Sequence, residues 1–301
     1  MDGGSGLAMS ADEPSTNTQS PDDVAPISDW NRLLDGKVAV ITGGGADGIG
    51  GAIARLFAEH GAIVEIAEID PDRAERSRAT IESAGGAVRT HQVDVTRADE
   101  VESFAIDVLG HHGRVDVVVN NVGDYRVSAR FEASSPETWQ RMYDINFGHV
   151  LLMTRAFVDS MIEAGKGSIV NVHSVEAQRG YPGDPVYGAM KAAVAHFTTC
   201  LAVDVGRHGI RVNGLGPDLT QTAQVDYIAR SDGAHHMWPS WAPVGRLGWP
   251  EDQARVALFL ASDMSAFVTG HNIPVDGGTL AGGGWFFSPD EGRFVNRPKR
   301  L

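Results

Sequence analysis

The sequence predicts an α/β fold, a single domain on a doubly wound parallel sheet of about seven strands with helices on both faces. Three observations predict it. Apolar runs of strand length alternate with longer amphipathic stretches from residue 38 onward, as they do where parallel strands are buried on both sides. Between the first apolar run and the first helical stretch stands TGGGADGIGG, Thr42 to Gly51, with six glycines. The apolar fraction, 42% of 301 residues, supplies one large core.

The elements follow in order. Residues 1–30 are rich in Ser, Thr, Pro, Gly and Asp, with six acidic residues and no Lys or Arg, and are read as a disordered acidic tail. The domain is expected over 31–278. Strands are expected at 38–42, 63–67, 88–93, 115–120, 168–172, 210–214 and 272–275. Helices are expected at 49–60, 72–84, 98–109, 136–162 and 185–205. A loop over 218–249 interrupts the alternation, and 279–301 forms a C-terminal extension without clear period.

Charge and cysteine content narrow the function classes. Asp and Glu outnumber Lys and Arg 39 to 25, a net charge of −14, which disfavours nucleic acid or an anionic membrane as partner. Runs such as VDVVVN are far shorter than the roughly 20 residues of a bilayer span. The N-terminus has neither a basic start nor an apolar core, so it is not read as a secretion signal. The single cysteine, Cys200, allows no internal disulfide and is expected as a small core residue. A cytoplasmic protein is the expectation. His235 and His236 are adjacent and lack a third ligand at metal spacing, so no metal is expected.

A glycine loop that follows a strand and opens a helix is a phosphate cradle, because the first N–H groups of the helix and its dipole favour an anion. Gly44, Gly48 and Gly50 keep a GxxxGxG spacing, with Ile49 between the last two. After the second strand, Glu68 stands where a carboxylate can accept from the adenosine ribose hydroxyls. A further phosphate on that ribose would meet Glu68 and also Asp47 at the loop tip. No Lys or Arg lies in the loop or at 66–70, and the nearest, Arg73, is on the next helix. The expected cofactor is NAD.

YGAMK places Tyr187 and Lys191 four residues apart, on one face of a helix. An ammonium beside a phenol is expected to lower the phenol's pKa toward working pH, making Tyr187 a general acid or base. Ser174 ends the run SIVNVHS thirteen residues earlier, at the carboxyl end of a strand where such sheets bind ligands. His173 is expected to point away from Ser174 by strand alternation. Asn146, in DINFG, lies inside a helical pattern where an amide needs a reason.

With these pieces in place the chain resembles the short-chain dehydrogenase/reductase family over about four-fifths of its length, residues 34–278. The matching segments are TGGGADGIG, DVT from Asp94, NNVG from Asn120, DIN from Asp144, NVHS, YGAMK, GIRVNGLGP from Gly209, GRLGWPED from Gly245 and VDGG from Val275. The resemblance implies a Rossmann-like domain and reversible hydride transfer between a nicotinamide and an alcohol or ketone. It implies Tyr187 as general acid/base, Lys191 as the group lowering its pKa and holding the nicotinamide ribose, and Ser174 as hydrogen-bond partner of the substrate oxygen. Asn146 would keep a kinked helix and an ordered water. The implied cofactor surface comprises Gly43, Gly44, Asp47, Gly48, Ile49, Gly50, Glu68, Asp94, Val95, Asn120, Val122, Gly123, Tyr187, Lys191, Pro217, Thr220 and Thr222. Asp94 would contact the adenine and Asn120 would buttress the central strands. The chain departs from the family in one extra loop residue, which leaves Gly43 and Gly44 as rivals for the first functional glycine. It also has Asp218 after Pro217, and valine at 122.

The loop 218–249 carries Tyr227, Met237, Trp238, Trp241 and Trp249, and reads as a lid over a hydrophobic secondary alcohol or its ketone. An NAD-dependent oxidoreductase on such a substrate is the expected function. The alternatives are an NADP-dependent ketone or 3-oxoacyl reductase of the same fold, and a non-catalytic dinucleotide-binding sensor. The resemblance also implies a homo-oligomer, tetramer or dimer, and the Trp285–Phe287 segment is expected to add an inter-subunit contact or to close the pocket.

Overall fold

The computed structural model describes residues 26–45, 47–125, 129–181, 183–229, 238–284 and 286–295. Most of the acidic tail, His235, His236 and Met237 of the loop, and Trp285 lie outside them. In chain order the main elements are β1 Val38–Thr42, α1 Ile49–Glu59, β2 Ile63–Glu68, α2 Pro71–Ser83, β3 Ala87–Gln92, α3 Ala98–His112, β4 Val117–Asn120, α4 Pro136–Tyr143, α5 His149–Ala164, β5 Gly167–Val172, α6 Pro185–Val205 and β6 Ile210–Pro217. They are followed by α7 Trp238–Trp241, α8 Pro250–Ala261, β7 Asn272–Val275, α9 Thr279–Gly282, β8 Phe286–Ser288 and β9 Arg293–Val295.

Seven strands form one sheet in the order β3-β2-β1-β4-β5-β6-β7, every neighbouring pair parallel. The order reverses between β1 and β4, so a crevice opens there at the carboxyl ends of the strands. Alternation along each strand builds two cores. Ala39 and Ile41 of β1 pack with Ile53 and Phe57 of α1, Ile81 of α2 and Leu258 of α8. Val38 and Val40 face the other way, toward Phe104 of α3, Phe157 of α5 and Val205 of α6. Both faces are therefore covered.

Local chemistry sets the ends. Asp70 caps α2 by accepting from the N–H groups of Asp72 and Arg73, with Pro71 in the first turn. Asp184 and Pro185 start α6 in the same manner. Helix α6 and its following turn, Pro185–His208, is the one stretch among the described residues long and apolar enough to cross a membrane. Yet Lys191, Val194, Thr198 and Ala202 are buried in the protein, as a core helix requires.

Three expectations need correction. The helix over 136–162 is broken by a π-helical turn, Asp144–Gly148, that carries Asn146, and the 3.6-residue apolar pattern passes over such a one-turn widening unchanged. Cys200 is exposed, with its Sγ 3.5 Å from His196 Nε2; the Val194, Thr198 and Ala202 side of α6 turns inward instead. Helix α8 was not foreseen, although Pro250 in its first turn and Asp252 accepting from the Trp249 N–H mark its start.

One buried charge stands away from the crevice. Glu65 of β2 is fully buried. Its carboxylate meets His91 Nε2 at 2.5 Å, His112 Nε2 at 2.6 Å and Arg89 Nη1 at 3.2 Å. Arg89 reaches on to Asp107 at 2.7 Å. Burial pushes the Glu65 pKa up, but the two imidazoles and the guanidinium outweigh it and the net shift is downward.

Candidate active site

The glycine loop is tied to the switch point by Thr42. Its Oγ1 accepts from the N–H groups of Asn121 at 2.9 Å and Val122 at 3.2 Å. Gly43 turns the chain, with φ +63°. Its carbonyl lies under α1, where a Cβ on Gly50 would stand 2.2 Å from the oxygen, so only glycine fits at 50. A Cβ on Gly44 would instead press on Ile66 at 2.9 Å. Gly43, not Gly44, is thus the residue that makes the turn. Asp47, exposed, takes the left-handed conformation at φ +71°, which an aspartate tolerates better than most residues. Gly48 gives α1 no side-chain cap, and the first turn, with Ile49, holds no acid. Open helix N–H groups over a floor of glycines suit a diphosphate.

Glu68 lies at the other end of this groove, buried. One carboxylate oxygen accepts from Gly45 N at 3.1 Å; the other accepts from Asp70 N at 3.1 Å and from Arg73 Nη2 at 2.6 Å. Arg73, the nearest cation in the sequence, is also near in space: α2 folds it back onto Glu68, five residues away in sequence. Asp94 accepts from the Thr96 N–H and hydroxyl at 3.0 and 2.7 Å, while Val95 is buried beside it.

Asn120 ends β4. Its Nδ2 donates to Asn171 Oδ1 at 2.8 Å, and Asn171 donates to Thr198 at 2.9 Å, a buried polar chain linking β4, β5 and α6. Pro217 ends β6. Asp218 then accepts from Arg179 at 2.9 Å and from Thr279 at 2.6 Å, and Leu219 takes φ +41°, so the chain leaves β6 through a side-chain network. Thr220 is buried, held by Gln253 at 2.9 Å. The Thr222 hydroxyl accepts from Val225 N at 3.0 Å inside its own loop.

The four catalytic candidates converge on the crevice. Ser174 lies just past β5, which ends at Val172, and its hydroxyl accepts from Glu176 N at 3.2 Å. The Ser174 side chain bears on the Tyr187 phenol and pulls its pKa down. Lys191 is buried, with Nζ 5.8 Å from the centre of the Tyr187 ring and 3.3 Å from the Val172 carbonyl oxygen to which it donates. Asn146 donates to the Asp124 carbonyl at 2.8 Å and accepts from the Asp124 N–H at 3.1 Å. Gly123 is the hinge of the group, since a Cβ there would lie 2.7 Å from Lys191 Nζ and 3.2 Å from Asn146 Oδ1.

The expected acidification of Tyr187 does not occur among the protein's own groups. Burial pushes the phenol up from 10.0, the Ser174 side chain pulls it back, and Glu176, Tyr181 and Asp124 add to the rise. Lys191 in turn is drawn by burial down from 10.5 to about 8. Helical spacing put the two side chains together, but burial penalises both charged forms.

Sequence reasoning passed over Tyr125 and Tyr181, whose rings meet that of Tyr187 edge-on at 6.5 and 6.0 Å. It also passed over Gln224, which reaches from the loop to the Gly123 carbonyl at 3.2 Å. Tyr227 packs on Leu219, Ala242 and Leu247, whereas Trp241 and Trp249 are about half exposed.

A reversing parallel sheet, a glycine loop opening a helix and a Ser–Tyr–Lys–Asn group at the same crevice define a nicotinamide-dinucleotide oxidoreductase. The chain belongs to the short-chain dehydrogenase/reductase family. A family model described as enoyl-(acyl carrier protein) reductase matches residues 44–279. The 3-oxoacyl-[acyl-carrier-protein] reductase of Chlamydia muridarum is 39% identical over 249 residues, covering 82% of this chain and 99% of that protein. A 7α-hydroxysteroid dehydrogenase solved with NADH and 7-oxo glycochenodeoxycholic acid superposes with TM-score 0.76 at 32% identity, covering 82% and 96% of the two chains. A gluconate 5-dehydrogenase from Burkholderia cenocepacia, solved with NADP and tartrate, gives 0.77 at 32% identity, covering 83% and 98%.

Proposed function

We propose that the protein reduces a ketone to a secondary alcohol, reversibly, with a 3-oxoacyl-type carbonyl as the first substrate class to test. The Tyr187 phenol, which burial and neighbouring carboxylates keep protonated, is ready to serve in that direction. A protonated phenol is the acid that carbonyl reduction needs. Identity to a 3-oxoacyl reductase along nearly that protein's whole length favours the same direction. Ser174, beside Tyr187, would share the carbonyl oxygen and orient it. Lys191 would stabilise the phenolate left when the proton moves, and Asn146 would hold the Asp124 backbone and the turn behind it.

The dinucleotide would lie with its diphosphate on Gly43–Gly50 and α1, its adenosine ribose at Glu68, and its nicotinamide ribose near Lys191. Bound there it supplies or takes up the hydride. The finer reading is NAD, because Glu68 is a buried carboxylate at the ribose and the exposed Asp47 adds a second negative charge. Arg73 moderates this bias without cancelling it, since Glu68 already holds the guanidinium. A hydrophobic alcohol oxidised with NAD is the second reading, favoured by Glu68 and by the aromatic loop.

The test is a panel of 3-oxoacyl thioesters, cyclic ketones and secondary alcohols with NADH, NADPH and NAD, read by the absorbance of reduced nicotinamide. Thioester or ketone reduction should exceed alcohol oxidation at neutral pH. Tyr187→Phe should lower kcat by about 10²–10⁴-fold while leaving NADH affinity within about twofold. Wild-type turnover in that variant removes Tyr187 from this role.

A further inference from the structure

Three of the chain's five tyrosines meet at the crevice. Tyr187 stands on α6. Tyr125 lies past the carboxyl end of β4, its ring centroid 6.5 Å from that of Tyr187 and its plane turned by 70°. Tyr181 lies past the carboxyl end of β5, at 6.0 Å and 65°. Both are half-buried. Open α/β sheets bind their ligands beyond such strand ends, so the two rings wall the space from which a substrate reaches the Tyr187 hydroxyl.

Each wall is held in place. The Asn146 amide grips the residue before Tyr125, donating to the Asp124 carbonyl at 2.8 Å and accepting from its N–H at 3.1 Å. Tyr181 lies over the first turn of α6. A Cβ placed on Gly188 would stand 3.7 Å from the Tyr181 Cβ, and one on Gly183 would stand 3.7 Å from its hydroxyl. The surroundings suit a substrate without charge. Between Ser174 and Tyr187 the chain has one cation, Arg179, held by Glu176 at 2.7 Å and by Asp218 at 2.9 Å. Two carboxylates already share that guanidinium, so an anionic substrate group beside it would meet net negative charge.

Resting on the reading of Tyr187 as the acid of a ketone reductase, we propose that Tyr125 and Tyr181 are specificity-determining residues. They are aromatic walls that select an uncharged ketone whose carbonyl lies in, or is conjugated with, a flat ring. Aromatic side chains attract flat π-faced partners, edge-on or offset. Fixed rings also lose little freedom when such a partner binds. A flexible alkyl chain offers the walls no flat face and loses rotational freedom on entry. Each ring contact is worth about three- to tenfold in affinity.

Acetophenone and 2-octanone have the same number of carbons and differ in the flat ring. With reduced cofactor, the wild-type kcat/KM should favour acetophenone by about tenfold. Tyr125→Leu and Tyr181→Leu should each cut that ratio about three- to tenfold, while Tyr125→Phe and Tyr181→Phe should keep it within about twofold. General damage to a variant lowers both ketones together and leaves the ratio unchanged. A wild type that prefers 2-octanone, or leucine variants with the wild-type ratio, overturns the proposal. If a leucine variant does not fold, the wild-type ratio decides alone. The same preference is read without turnover as Kd, by calorimetry on Tyr187→Phe loaded with NADH. Should neither ketone be reduced, the catalytic reading fails, and these Kd values still decide the walls: tighter acetophenone upholds them, and equal or weaker acetophenone overturns them.

Discussion

Glu65 and Lys191 are both sealed inside the protein, and they are handled in opposite ways. The carboxylate on β2, one strand in from the edge of the sheet, is closed in by two imidazoles and a guanidinium, and its pKa falls despite burial. The ammonium behind the crevice has a carbonyl at 3.3 Å and a pKa drawn down by burial to about 8. A buried charge that serves structure is paired, because an unpaired one is costly. A buried charge that serves chemistry is left short of partners, so that its field reaches the reacting atoms.

The contrast breaks most visibly at Lys191. Lys191→Met should abolish turnover, about 10³-fold or more, and yet stabilise the fold. A base whose pKa falls from 10.5 to about 8 on folding costs about 3 kcal/mol while charged. That cost is full below about pH 8 and fades as pH rises through 8 toward 10.5. Urea denaturation of the variant at pH 7 should therefore recover up to about 3 kcal/mol, and less at pH 10. Loss of stability at pH 7 would break the comparison. Glu65→Leu should do the reverse, costing about 3 kcal/mol because three cationic or imidazole groups lose their acceptor, with kcat per folded molecule unchanged. The glutamate's folded-state pKa is depressed, so its contribution is present above the ordinary value of 4.5 and is lost as pH falls below it. The wild-type advantage over Glu65→Leu should hold at pH 7 and shrink only on acidification past that point.

The paired region was the less legible of the two. β2 reads as an apolar run with two glutamates in it, and nothing in the spacing says that His91 and His112, 26 and 47 residues away from Glu65, will close over that carboxylate. The candidate catalytic group could be read because its signals are local: YGAMK is one helical face, and NVHS is a strand end. Strands such as β1 and β4 were legible for a similar reason, since each is a short apolar run, VAVIT or VVVN, bounded by polar or glycine residues. What spacing could not show was burial. It placed an ammonium beside a phenol and missed that desolvation would outweigh their attraction, as it missed α2 turning Arg73 back onto Glu68. The irregularity at Asn146 came from the resemblance, as the kink that residue would keep, and not from the apolar spacing, which ran on as one helix over 136–162.

Gly123→Ala sharpens the comparison at the catalytic side. The new Cβ would stand 2.7 Å from Lys191 Nζ, the far end of a flexible side chain, so the lysine moves rather than the fold. The expected result is a kcat lower by about 10–100-fold, with stability within about 1 kcal/mol of wild type. A stability loss as large as that of Glu65→Leu would mean that Gly123 is a packing residue first.

The smallest effect falls between the two regions, at Glu68, which is paired like Glu65 but lies on the cofactor groove like Lys191. Its carboxylate holds Arg73 at 2.6 Å and the Gly45 and Asp70 N–H groups at 3.1 Å. Glu68→Ala removes the acceptor for the adenosine ribose and leaves the guanidinium without its 2.6 Å partner. NAD should then bind about tenfold more weakly, as one charge-assisted hydrogen bond is lost. NADP should bind more tightly, because the freed Arg73 can meet a 2′-phosphate that Glu68 repelled. Titrating both cofactors into the two proteins by fluorescence separates the possibilities. If NAD weakens and NADP does not gain, Glu68 reads the ribose while Arg73 serves only to neutralise it. If neither changes, Glu68 belongs with Glu65 as a structural charge, and the nicotinamide choice is made elsewhere.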